Sequence, residues 1–339
     1  ATRIRLELTA RTELSGVLVN AGEVQAASAQ RASAVALARA SANYSASESM
    51  QLARADALIE AARLGAVNVP SAERWALAQE ALAINRELAQ RSLAADLRAE
   101  VDDKRAITTL YAANVASEHA PPAIAKTTAK QLSDEAVHTF EALNLARPGQ
   151  VRNLANLAFA TSMAAELARE TGDIESARKN FRRAREHAQA LAKVEPNLAQ
   201  AKLNSIAAAM AEIEMELSVR TDPVALYALV QATAAEAATL PTSLTTERQG
   251  MAVRAGLAAL TAEIKLRRCA SPDAPAEGEC ARMIAEAIEG FREANRLLPQ
   301  IEDMIERDNG EMLQLVKTGV QRAEDALVAS ARKTAGGKR

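Results

Sequence analysis

The sequence predicts an all-α protein built as a stack of helix pairs. Three observations carry this. Apolar residues recur at three- and four-residue steps almost throughout the 339 residues, and no window alternates as a strand does. Pro70, Pro121-Pro122, Pro148-Gly149, Thr171-Gly172-Asp173, Pro196, Asp222-Pro223, Pro241 and Pro299 fall between the periodic segments as breakers. Aromatic residues make up only 2% while alanine is abundant, so the interior must come from close approach of small-sided helices rather than from large rings.

The elements follow in order. Residues 1–64 are rich in Ala and Ser, with Gly16 and Gly22 early, and read as one or two long helices forming an N-terminal extension or connector. Helices are then predicted near 71–91, 92–119, 123–146, 150–171, 174–194, 197–220, 223–240, 243–267, 280–297 and 301–333. In 197–220, Leu203, Ile206, Met210, Ile213 and Leu217 lie on one face. Asp222-Pro223 reads as an N-cap followed by proline at the first helical position. The expected domains are the extension 1–64, a repeat domain 65–333 and a flexible tail 334–339.

Charge argues against nucleic acid as a partner: the net charge is −2, and no basic face stands out. The longest uncharged runs, 153–165 and 223–235, are too short for a transmembrane span, which needs roughly 20 apolar residues. No signal peptide is visible at "TRIRLELTA", and an upstream segment could hold an export signal, a membrane anchor or an output domain.

A motif recurs. "EAVHTFEALNLARP" has Ala136, Phe140, Leu143 and Pro148, and "IAEAIEGFREANRLLP" has Ala287, Phe291, Ala294 and Pro299 at the same offsets. "IESARKNFRRAREHA" has Ala177, Phe181 and Ala184, with the closing proline delayed to Pro196. This resembles the second helix of a tetratricopeptide repeat (TPR), and "ETGDIESA" (170–177) resembles that family's inter-helix turn. The first-helix positions of the family read Thr161, Ala164, Ala165 and Ala168 here, keeping only its small residue. The stretches 79–92, 185–200 and 280–304 are similar in texture to repeats C-terminal to bacterial serine/threonine kinase, TIR and winged-helix signalling modules.

The resemblance implies a right-handed superhelical, TPR-like solenoid whose first helices line a concave groove. With Gly172-Asp173 as the turn, it implies that Ser162, Glu166 and Arg169 face the groove and hold an extended peptide through its backbone and charges. Ordinary solvated positions are the alternative. The implied function is non-catalytic: a protein- or peptide-binding or sensor region of a bacterial signalling protein. The alternative is a free-standing cytosolic adaptor.

The residues offer little chemistry beside this. His119, His138 and His187 have no metal-ligand spacing, no nucleophile motif occurs, and neither a metal nor a cofactor is expected. Trp75, Tyr44, Tyr111 and Tyr227 are read as packing residues, with binding anchors as the alternative. Lys179, Arg182, Arg183 and Arg185 crowd one helix, and Glu212 and Glu216 crowd another; either they neutralise each other, or the acids form a strip for a basic peptide. The only cysteines, Cys269 and Cys280, bracket "ASPDAPAEGE". A disulfide across that loop would contribute roughly 3 kcal/mol and would favour the periplasm or another extracytoplasmic space; two unrelated thiols are the alternative.

Overall fold

The computed structural model describes residues 2–42, 47–67, 69–196, 199–219, 222–241, 247–302 and 310–336. Among them the regular structure is helical, without strands, and it divides into two compact units, Ala1–Asn180 and Phe181–Arg339. The first holds α1 (Thr2–Asn20), α2 (Val24–Ala40), α3 (Glu48–Leu64), α4 (Ser71–Gln90), α5 (Ala95–His119), α6 (Ala125–Ala146) and α7 (Val151–Glu170). Helix α8 (Ile174–Val194) runs across the boundary in sequence. The second unit holds α9 (Ala199–Ser218), α10 (Pro223–Ala237), α11 (Arg248–Ala270), α12 (Glu277–Leu297), a 3-10 turn at Leu298–Gln300, and α13 (Gly310–Gly336).

Within each unit, helices pack on their sequence neighbours, and α1 on α3, α3 on α5, α9 on α11 and α11 on α13 add the next-but-one contacts. First helices of successive pairs begin 46 to 56 residues apart, at Thr2, Glu48, Ala95, Val151, Ala199 and Arg248. The pairing starts at the first helix rather than at residue 65. Helix α3 packs against α4 across the boundary drawn at residue 65, and residues 1–64 hold three helices of the same compact unit. A Gly-containing turn at 20–23 joins the first two. Gly22 takes φ +79, its N–H donates to the Val19 carbonyl, and the Glu23 N–H donates to the Leu18 carbonyl. Gly172, at φ +78, closes α7 with the same two bonds, from Gly172 to Arg169 and from Asp173 to Ala168. Both are Schellman closures, which need a residue that tolerates left-handed backbone. They fix α1–α2 and α7–α8 in one register, offset by 150 residues.

The Phe motif is packed as one register. Phe140, Phe181 and Phe291 are at most 1% exposed, and their flanking small residues Ala136, Ala177, Ala184, Ala287 and Ala294 are fully covered. In that same register α2 places Ala27, Arg31 and Ala34, with Arg31 only 3% exposed. Helix α10 places Leu226, Val230 and Thr233 there, also buried. The guanidinium of Arg31 does what a ring cannot. Its Nε donates to the Gly65 carbonyl at the end of α3, where unpaired carbonyls and the helix dipole favour a cation. Other arginines close other helix ends: Arg54 bonds Ala38 O of α2 at 3.0 Å, Arg98 bonds Ala89 O of α4 at 2.6 Å, and Arg267 bonds Leu217 O of α9 at 2.7 Å.

Small residues set the helix separation. A Cβ at Gly290 of α12 would stand 3.1 Å from the Ala258 carbonyl and 3.3 Å from the Ala262 Cβ of α11. A Cβ at Gly319 of α13 would overlap the Phe291 ring. Helix α12 starts at Glu277, earlier than the sequence reading of 280, because Glu277 and Glu279 in its first turn complement the N-terminal dipole. Helix α13 is described from Gly310, residues 303–309 of the helix expected from 301 lie outside the described residues, and α13 runs into the expected tail as far as Gly336.

Two outcomes follow from this packing. Phe291→Ala should cost about 3–5 kcal/mol and Gly319→Ala about 1–3 kcal/mol, both read from urea unfolding. Because the two share one gap, Gly319→Ala should add no cost in the Phe291→Ala background; simple additivity would refute the contact. The second concerns His187, half-buried on α8, whose Nε2 has no hydrogen-bond partner among the described residues. Burial first, then Arg183, holds its pKa below the usual 6.5. The unfolded chain therefore takes the proton first, and stability is lost as pH falls below 6.5. His187→Gln should show a smaller drop in melting temperature between about pH 7.5 and 5.5 than the parent protein; an equal drop would exclude His187 as the group responsible.

Candidate functional site

A cleft of about 580 Å³ opens on the first unit, and every residue lining it comes from an odd-numbered helix. Helix α1 supplies Thr9, Thr12, Gly16 and Val19, and α3 supplies Ala53, Asp56, Glu60 and Arg63, each row stepping by three, four and three residues. That is one face of a helix. Helix α5 adds Lys104, Ile107 and Tyr111, and α7 adds Arg152 and Asn156. The odd helices can share a cleft because their even partners take the other side of each pair, and because α1 packs on α3 and α3 on α5.

Charges inside the cleft are mostly paired. Asp56 Oδ2 meets Lys104 Nζ at 2.5 Å, and Glu60 Oε2 meets Arg63 Nη2 at 3.0 Å. The Arg63 guanidinium also lies 4.5 Å from the centre of the Tyr111 ring, a cation–π contact. Burial pushes the Asp56 carboxyl pKa up, against the pull of Lys104. Arg152 and Glu13 are exposed and make no ion pair among the described residues, so they remain for an incoming group. Paired charges, a ring edge, hydroxyls and an amide suit an extended polypeptide better than a small reactive substrate. No group of three or more His, Cys, Asp or Glu among the described residues is arranged to hold a metal ion.

Ser162, Glu166 and Arg169 do not line this cleft. They are half-buried on α7, where Glu166 Oε2 meets Arg169 Nη2 at 2.7 Å and burial pushes the Glu166 carboxyl pKa up. Their counterparts 150 residues earlier, Thr12, Gly16 and Val19, do line it. The face derived from the turn on α7 thus corresponds to the face of α1 that lines the cleft. The missed signal was "NAGEV" (20–24), which carries the same Gly-acid turn as "ETGDI".

The remaining candidates resolve as follows. Trp75 is buried in the first unit's core. Tyr227 packs under Arg268, 5.0 Å from its ring centre, and Tyr44 lies outside the described residues. Glu212 and Glu216 are each 5% exposed. Glu212 is held by Arg185 at 2.6 Å and Arg182 at 3.6 Å, which is the neutralising arrangement and not an open acidic strip.

No known family model matches the chain, and no curated protein is similar to it. Solved structures similar to it include a chain from "Computational Design of Self-Assembling Cyclic Protein Homooligomers", at 16% identity and a TM-score of 0.18, covering 96% of this chain and 98% of that one. At that TM-score the likeness carries no argument about architecture or function. No helix among the described residues is long and apolar enough to cross a membrane.

Cys269 and Cys280, the pair expected from sequence to bond, are brought together across their loop and stand here as free thiols. Cys269 lies in the last turn of α11, and its Sγ donates to the Cys280 carbonyl at 3.6 Å. Cys280 is buried in the first turn of α12, and its Sγ donates to the Pro275 carbonyl at 3.6 Å. Burial first, then the Cys280 thiol, pushes the Cys269 pKa up to about 12. The thiolate is therefore scarce. In reduced, folded protein, iodoacetamide near pH 8 should label Cys269 at least about a hundredfold more slowly than in urea. Equal rates would show that the thiol is not shielded as described.

Proposed function

We propose that the chain is a non-catalytic, TPR-like region that binds a protein or peptide in an extended form along the cleft of its first unit. The observation that carries this is the lining itself: four successive odd-numbered helices contribute side chains to one cleft. The Phe-centred register and the two Gly turns support the TPR likeness. The pair spacing of 46 to 56 residues departs from it, being longer than the roughly 34 residues of that repeat. A right-handed superhelix is the arrangement that such a likeness implies.

The sequence resemblance of 79–92, 185–200 and 280–304 supports a place in a bacterial signalling protein, where such a region would act as a sensor or docking module. An extracytoplasmic location rests on the nearness of the two cysteines, which an oxidising compartment would join. The second reading is a free-standing cytosolic adaptor, in whose reducing compartment the two thiols would stay apart.

A random extended-peptide library selected on the protein tests the binding function. Enriched peptides should lose at least about tenfold in affinity on Arg152→Glu. They should also weaken on Gly16→Gln, because the glycine has open space where a side chain would project and lies in the cleft lining. Glutamine is a better helix former than glycine, so melting should hold or rise. No enrichment, or peptides indifferent to both changes, would reject the cleft.

A further inference from the structure

The shared turn makes α1 and α7 comparable residue by residue, and the comparison exposes an uncovered face. On α7, Leu157, Ala160, Ala164 and Leu167 form a stripe at most 5% exposed. Helix α6 covers it: Ala136 and Phe140 share one cluster with Ala160 and Ala164, and Ala129 and Leu132 share another with Leu167. The counterparts on α1 are Glu7, Ala10, Leu14 and Val17. Glu7 is drawn into an ion pair with Arg11 at 2.8 Å. The other three are open, with Leu14 43% and Val17 63% exposed, and Leu6, 56% exposed, continues the stripe by one turn. The outer side of α13, which ends the second unit, is instead mostly polar: Gln314, Lys317, Thr318, Gln321 and Asp325 are exposed there, with Val328, 51% exposed, as its large apolar residue. Repeat stacks need such a polar face on a terminal helix. Helix α1 is built like an interior first helix.

We infer that the Ala10–Leu14–Val17 face of α1 is a docking surface for a partner helix of the α6 kind, two small residues flanking one large apolar residue, seated on α1 as α6 is seated on α7. The chemistry is read from the internal precedent. The small residues let the backbones approach, and the large one fills the gap beside them. Leu14 stands where α7 has Ala164, so it fills more of that gap, and the occupant's large residue ranges from phenylalanine down to the size of Val230, which holds the position on α10. This surface is separate from the Thr12–Gly16–Val19 cleft face, so it does not depend on the peptide-binding reading.

The test supplies the occupant. A second copy of residues 95–150, which spans α5, α6 and the natural link into α7, is joined ahead of Ala1, in two versions with Phe or Val at the copy of position 140. Hydrogen exchange is then followed by mass spectrometry. At least one version should show amides of the added α6 copy and of α1 exchanging about tenfold or more slowly than in the separate parts. Leu14→Glu with Val17→Glu should abolish that slowing, yet leave the melting temperature of the unextended protein nearly unchanged. Added helices that exchange freely in both versions, or protection that survives the double substitution, would overturn the proposal. So would sedimentation of the unextended protein as a dimer that the same double substitution dissolves, since a second copy would then be the occupant.

Discussion

The separation between helices is the constraint on which the rest of the structure depends, and it is set by side chains of one carbon or none. Where α11 and α12 meet, Gly290 sits against the Ala258 carbonyl and the Ala262 Cβ, with no space for another methyl group. Alanine at Ala136, Ala177 and Ala287 does the same beside each phenylalanine. Close backbones leave gaps at regular intervals along a pair, and a single large side chain fills each one. An aromatic content of 2% is therefore adequate: one large side chain per gap, a ring or not, is enough when alanine brings the helices close.

That economy explains the arginines. Where no ring is present, as at Arg31, a long aliphatic stem fills the gap and its head reaches the open carbonyls of a neighbouring helix end. Arg54, Arg98 and Arg267 reach other helix ends in the same way. The arginines thus combine packing with capping, and each links the end of one helix to the body of another. Arg98 should tolerate lysine poorly, since an ammonium lacks the forked donors by which it reaches the Ala89 and Arg91 carbonyls at once.

What could be read from the sequence was what chemistry repeats literally. Phe140, Phe181 and Phe291 announced the register, because ring and small neighbours recur as the same letters. Arg31 and Val230 hold the same place in different chemistry, and a pattern of residue types does not reveal them. Residues 1–64 carried no such literal signal, because α2 has arginine where a ring was sought. The cleft lined at Thr12, Gly16 and Val19 had no such literal signature, whereas Ser162, Glu166 and Arg169 were reached through the resemblance of the turn at Gly172-Asp173. The ion pairs Asp56–Lys104 and Glu60–Arg63 were out of reach, because the first joins residues on different helices and the second is one of many helical neighbours of opposite charge.

The position of α1 has a consequence for how tightly the cleft can hold anything. This helix is one wall of the cleft, yet it packs chiefly on α2 and α3, and no other described residue covers Leu14 and Val17 on its outer face. A wall held from one side is the first part of a stack to detach, by an opening that leaves the other pairs intact. Only the fraction of molecules with α1 seated offers a complete cleft, and the apparent dissociation constant is the intrinsic one divided by that fraction. Anything that seats on the far side of α1 would raise the fraction and tighten the cleft without touching its ligand. The two faces of this one helix are thereby thermodynamically linked, each reporting on the occupancy of the other.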